Sequence, residues 1–270
     1  MPYISRTITS GDLLEKEVYF ATRNGRKIAR AANADPTPEQ MAKVNERNAQ
    51  RKLQRLLCAN FSRENGDLFV TFTHAEEIDE EKALKEARNL MDRIKRLRQK
   101  KGLEELKYII VTEKQSQWHH HVLMNGGLSF EELQKLWGNR GRKMSVSTLD
   151  ESDGYRGLAR YLCEENKPKR GGIDDGEKSV KQPRRKYQRR WKASRNLSKP
   201  EVEKHTVKRL PSRGEPKAPK GYMLLTDSWQ YTESRFGIYS YAAFVRIERG
   251  RKQKARPKKT ETQRRKRKNV

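Results

Sequence analysis

Between Asp67 and Asn166 the apolar residues recur at every second position, then at every third or fourth, and back again. DLFVTFTH (Asp67 to His74) alternates and is rich in β-branched and aromatic residues, which predicts a strand. The next stretch, to about Lys101, carries Leu84, Ala87, Leu90, Met91, Ile94 and Leu97 at helical spacing. Its acidic start (Glu76 to Glu81) and basic end (Arg96 to Lys101) suit the helix dipole, and Gly102 stops it. LKYIIVTE (Leu106 to Glu113) and WHHHVLMN (Trp118 to Asn125) are strands whose short polar link predicts an antiparallel hairpin. SFEELQKLW is a short helix capped by Ser129, with Glu132 three residues on. RKMSVSTL (Arg142 to Leu149) returns to strand, and Tyr155 to Glu165 to helix. The order β-α-β-β-α-β-α predicts an α+β fold: a central antiparallel sheet with helices packed mainly on one face.

Outside this core the pattern weakens. Residues 1–66 read as an irregular N-terminal arm, with the turn-prone TRNGRK and ANADP, followed by a helix from Thr37 to about Cys58. Thr37-Pro38-Glu39-Gln40 offers a capping hydroxyl, a proline at the first helical position and a Gln for a capping box. The core, 67–167, is followed by a basic linker over 168–220 and by strands over 221–249 expected to pack on the core. The last segment, 250–270, carries almost no apolar residue and is expected to be disordered.

Charge narrows the function classes more than composition does. Charged residues make up 36% and the net charge is +27, an excess that implies a polyanionic partner, because neutralised phosphates release condensed counterions. No apolar run approaches the ~18 residues of a membrane span, and MPYISRTITS has no hydrophobic signal segment. Cys58 and Cys163 fit no metal spacing and read as reduced thiols, so the expected location is the cytoplasm, without membrane partners.

Three of the five histidines stand together in Trp118-His119-His120-His121. In a strand His119 and His121 share a face and His120 points to the other. Glu113, at the near end of the partner strand, can add a carboxylate. Two imidazoles and one carboxylate on a rigid sheet can hold a divalent metal with positions left open for phosphate oxygens. The competing reading is a strand with surface histidines and no metal. The helix over 151–166 supplies Tyr155 and Tyr161, either of which could attack a polarised phosphate. Their six-residue separation places them well apart around the helix, which favours one nucleophile over two. In the linker, Arg184, Arg185, Lys186, Arg189, Arg190 and Lys192 surround Tyr187 and Trp191, a candidate DNA-binding segment whose rings can stack on unpaired bases. Trp191 suits packing equally well. GGIDDGEKS (Gly171 to Ser179) imitates a P-loop, but Glu177 intrudes before the lysine and no strand precedes it, so it reads as linker.

FVTFT, then HHHVLM, then a helix with LARYL, in that order and spacing, resembles the three motifs of rolling-circle replication initiators of the HUH endonuclease superfamily. RTITSGDLLEKEVYFATRNGRK, LQRLLCANFSRENGDLFVTFTH and KASRNLSKPEVEK resemble the phage and plasmid branch, which carries the likeness to about Arg249. The resemblance implies an HUH/RRM-like palm and a site-specific endonuclease that nicks and joins single-stranded or hairpin origin DNA through a 5′-phosphotyrosine. It implies Glu113, His119 and His121 as ligands of Mg²⁺ or Mn²⁺, Tyr161 as nucleophile, and a mainly structural part for Thr71 and Thr73. Two positions depart from the pattern. His120 replaces an aliphatic residue and is expected against the helices or in a polar pocket. Glu164 replaces a lysine three residues after the tyrosine, which leaves Lys167 as the candidate supporting cation. With no ATPase motif, unwinding and synthesis would fall to a host helicase and polymerase of a bacterial cell. A transposase or mobilisation relaxase would share this site, whereas a non-enzymatic DNA-binding protein would not need Tyr161.

Overall fold

A computed structural model describes residues 3–20, 37–138, 143–163, 190–208, 210–234 and 237–247. The first half of the chain gives β1 (Tyr3–Ser10), β2 (Leu13–Phe20), α1 (Pro38–Asn60), β3 (Leu68–Thr73), α2 (Glu80–Lys100), β4 (Tyr108–Lys114) and β5 (Trp118–Met124). The second half gives α3 (Phe130–Trp137), β6 (Lys143–Ser147), α4 (Arg156–Cys163), β7 (Lys192–Ala193), β8 (Glu201–Val207), β9 (Tyr222–Leu224), β10 (Gln230–Ser234) and β11 (Gly237–Arg246).

The element order expected for the core is present as β3-α2-β4-β5-α3-β6-α4. Its antiparallel sheet runs β6-β3-β5-β4-β7, so the histidine strand β5 lies at the centre. The helices divide between its faces. Alternate residues Val70, Phe72, Ile110, Val122 and Met124 pack against α2 and α3, through Leu90, Ile94, Leu133 and Trp137. The opposite residues Ile109, Val111 and Leu123 pack against α1 and α4, through Leu53, Leu57, Ala159 and Leu162. Local sequence sets the helix ends: Thr37 and Gln40 close a capping box on α1, Ser129 and Glu132 close one on α3, and Asp79 caps α2. Arg98, buried at the end of α2, donates to the Glu104, Asn125 and Gly126 carbonyls and so fixes that helix to the ends of β4 and β5.

The N-terminal arm is not irregular over 3–20. β1 and β2 form a hairpin that belongs to a second antiparallel sheet, β10-β11-β2-β1-β8, with β9 also on β11. The alternation there was hidden because the inner positions include charges satisfied in pairs, Arg6 with Glu17 and Arg55 with Glu15. The basic linker likewise contains strands. β7 extends the core sheet beside β4, and β8 forms an edge of the second sheet. The C-terminal strands join this second sheet, where β11 lies between β10 and β2 and does not extend the core sheet. Two glycines make the joint between the sheets close. A Cβ on Gly11 would meet the Cys58 carbonyl of α1, and one on Gly154 would stand 2.8 Å from Val245 Cγ2. Gln54 Nε2 donates to the Gly154 carbonyl at 2.9 Å across the same joint. The expectations for TRNGRK, for GGIDDGEKS and for a disordered 250–270 tail fall outside the described residues.

Candidate metal and nucleophile site

The register of β5 with its two neighbours assembles the site. His119 stands opposite Glu113 of β4 and Thr73 of β3; His121 stands opposite Val111 and Thr71. Both histidines and Glu113 are buried on the face covered by α1 and α4. Glu113 Oε1 lies 3.0 Å from His119 Nε2 and 3.1 Å from His121 Nε2. One ligand atom from each of the three lies within 4.8 Å of the others, and among the described residues this is the group of His, Cys, Asp and Glu that could hold a metal ion.

The donors fit a divalent cation. His119 Nδ1 lies 3.1 Å from the Gln117 carbonyl, which can only accept, so in neutral His119 the proton is on Nδ1 and Nε2 presents a lone pair to Glu113. A lone pair facing a carboxylate oxygen at 3.0 Å calls for positive charge between them. Glu113 Oε1 at 3.0 and 3.1 Å from the two imidazole nitrogens leaves the three groups close enough that together they would hold such an ion. His121 Nδ1 is held by Thr71 Oγ1 at 2.9 Å, and the Phe69 ring stacks on the imidazole at 5.6 Å. Such outer contacts fix ring orientation and ligand basicity.

Tyr161 comes to this cluster from α4. Its hydroxyl lies 3.4 Å from His121 Nε2, and the two rings meet edge-to-face at 5.4 Å. The side chain is half-buried. Tyr155 is placed otherwise. It has φ 57°, is 2% exposed, and its hydroxyl lies between the Phe61 carbonyl at 3.0 Å and Glu151 Oε1 at 2.9 Å. Burial, with Glu151 beside it, pushes its ionisation well above that of an ordinary tyrosine.

His120 takes the polar pocket expected for it. It is fully buried on the opposite face, bonded to Thr112 Oγ1 and His74 Nε2, each at 2.9 Å, with Trp137 packed alongside. Arg190 Nη1 donates to the Cys163 carbonyl at 2.7 Å and so caps the end of α4. Trp191 packs against the cluster that contains Tyr161, and Lys192 is exposed in β7. Lys167, Arg184, Arg185, Lys186, Tyr187 and Arg189 lie outside the described residues. Nothing in the sequence marked the Gln117 carbonyl, and the family resemblance cast Thr71 as a mainly structural residue. Only the β3–β5 register, which puts Thr71 opposite His121, reveals its contact with a ligand.

Among the described residues no helix is long and apolar enough to cross a membrane. No curated protein and no solved structure matches the chain. Residues 67–166, the span that holds the element order and the His/Glu cluster above, match the model of the Replication-associated protein ORF2/G2P family, a likeness consistent with a rolling-circle replication initiator.

Proposed function

We propose that the chain nicks and rejoins single-stranded origin DNA through a covalent phosphotyrosine and thereby starts rolling-circle replication. The observation that carries this reading is the approach of the Tyr161 hydroxyl, at 3.4 Å, to one histidine of a buried His/Glu cluster. Glu113, His119 and His121 would hold Mg²⁺ or Mn²⁺, which when bound supplies electrophilic polarisation of the scissile phosphate. α4 holds the phenol at the edge of the cluster, with the fixed imidazole ring of His121 against it. The Tyr161 oxygen bonds to phosphorus and the bond to the 3′ oxygen breaks. The phenolic proton goes to solvent, and the departing oxygen takes one up as a 3′-hydroxyl able to prime synthesis. A phosphodiester is exchanged for a phosphotyrosyl ester, so the step is nearly isoenergetic and reverses without ATP. Origin hairpin or single-stranded DNA, a host helicase and a host polymerase are the partners this chemistry requires in a bacterial cytoplasm.

The test uses single-stranded oligonucleotides tiled across the DNA flanking the gene, incubated with protein and Mn²⁺. Wild type should yield a covalent adduct that mass spectrometry maps to Tyr161. Tyr161→Phe and Glu113→Gln should yield none above the detection limit, a loss of at least about 10²-fold. An adduct at another residue, or non-covalent binding that ignores metal, would overturn the reading. The copying of a plasmid bearing the responsive sequence, in cells given this protein, separates an initiator from a transposase or relaxase.

A further inference from the structure

Away from the His/Glu cluster, α1 and the second sheet enclose a cavity of about 450 Å³ lined by five cations, Arg6, Arg47, Arg51, Lys52 and Arg55, and one carboxylate, Glu17. Two of the cations are neutralised in place. Arg6 pairs with Glu17, and Arg55 pairs with Glu15 just behind the wall. Arg51 is fixed by neutral groups: its guanidinium lies 3.5 Å over the Tyr241 ring and donates to Tyr239 Oη and Gln230 Oε1. Its charge therefore stays uncompensated. Arg47 and Lys52 are exposed and form no ion pair with a described residue. Three positive charges thus face one concave space.

Their spacing points to an extended anion. Arg47 and Arg51 stand four residues apart, so they lie one above the other about 6 Å apart, similar to the step between successive phosphates on a strand. Across the sheet Gln230, Tyr241, Glu17, Arg6 and Lys204 stand directly opposite one another on successive strands, which carries the row from the cavity floor to an exposed lysine on the edge strand. The cavity is also rigidly tied to the proposed chemistry. Six residues beyond Arg51, about 9 Å along the same helix, Leu57 packs in the cluster that contains Tyr161.

From this we infer a second nucleic-acid site: the cleft between α1 and the second sheet holds the sugar-phosphate backbone of DNA through Arg47, Arg51 and Lys52. The inference rests on the reading of the chain as a DNA-acting protein. Guanidinium and ammonium groups on phosphates position a strand without reading its sequence, so the cleft anchors DNA and leaves choice of sequence to other contacts.

The experiment measures binding of fluorescent oligothymidine over a salt series, in a Tyr161→Phe background with EDTA present. Arg47→Ala/Lys52→Ala should flatten the plot of log affinity against log salt by about 1.4, the value for two phosphate contacts on single-stranded DNA. Arg47→Lys/Lys52→Arg should keep the parent slope. A parent slope in the alanine variant would overturn the site. So would an equal flattening in the charge-preserving variant, or in Lys85→Ala/Arg88→Ala on the exposed face of α2. No covalent step contributes to this readout. A wild type that forms no adduct would refute the nicking reading and leave this result standing.

Discussion

Tyr155, in the turn just before α4, and Tyr161, within α4, have different chemistry because of what surrounds each hydroxyl. Tyr155 is locked between a carbonyl and a carboxylate in a dry site, where the phenolate is disfavoured. Tyr155→Phe should destabilise the fold by about 1–2 kcal/mol in urea unfolding, and adduct formation should persist. Thr71 acts through His121. Thr71→Val keeps shape and removes the bond to Nδ1, so the Mn²⁺ concentration for half-saturation, measured by calorimetry, should rise about 10- to 100-fold with the unfolding midpoint nearly unchanged. The grouping of the two histidines was legible in the sequence because alternation alone puts His119 and His121 on one face. Thr71 was not, because its part depends on which residue of a neighbouring strand stands opposite, and a period of two carries no register.

The helices were legible for a different reason: their caps are written in adjacent residues. Thr37 with Gln40 and Ser129 with Glu132 announce α1 and α3, and both capping boxes are made. The strands β1, β2 and β8 were not legible. Their inner faces mix Arg, Glu and Thr with a few apolar residues, and only tertiary pairing turns those charges into a packed layer. The joint depends on residues without side chains. Gly154 has φ 59°, and a methyl there would press on Val245, so Gly154→Ala should lower stability by about 2–3 kcal/mol in thermal unfolding. A metal-saturated wild type and Gly154→Ala should nevertheless show the same Mn²⁺ stoichiometry, because the ligands lie in the other sheet.

Taken whole, the protein is two sheets that meet through α1, in a chain of net charge +27. The sequence announced the charge and the core, and it missed the second sheet because that sheet is assembled from three separate stretches, 3–20, 201–207 and 222–246. This connectivity governs how the chain emerges from the ribosome. The strands and helices from 68 to 163 can close while later residues are still unmade, but β2 must wait for β11. Both edges of the hairpin stay open until β8 is made and one until β11 follows, and throughout that interval the inner arginines of α1 have no roof. A nascent chain can therefore complete the β3–β6 part of the core sheet with its His/Glu cluster well before it completes the cleft beside it. A messenger cut short between codons 163 and 237 would release a polypeptide with the first and without the second.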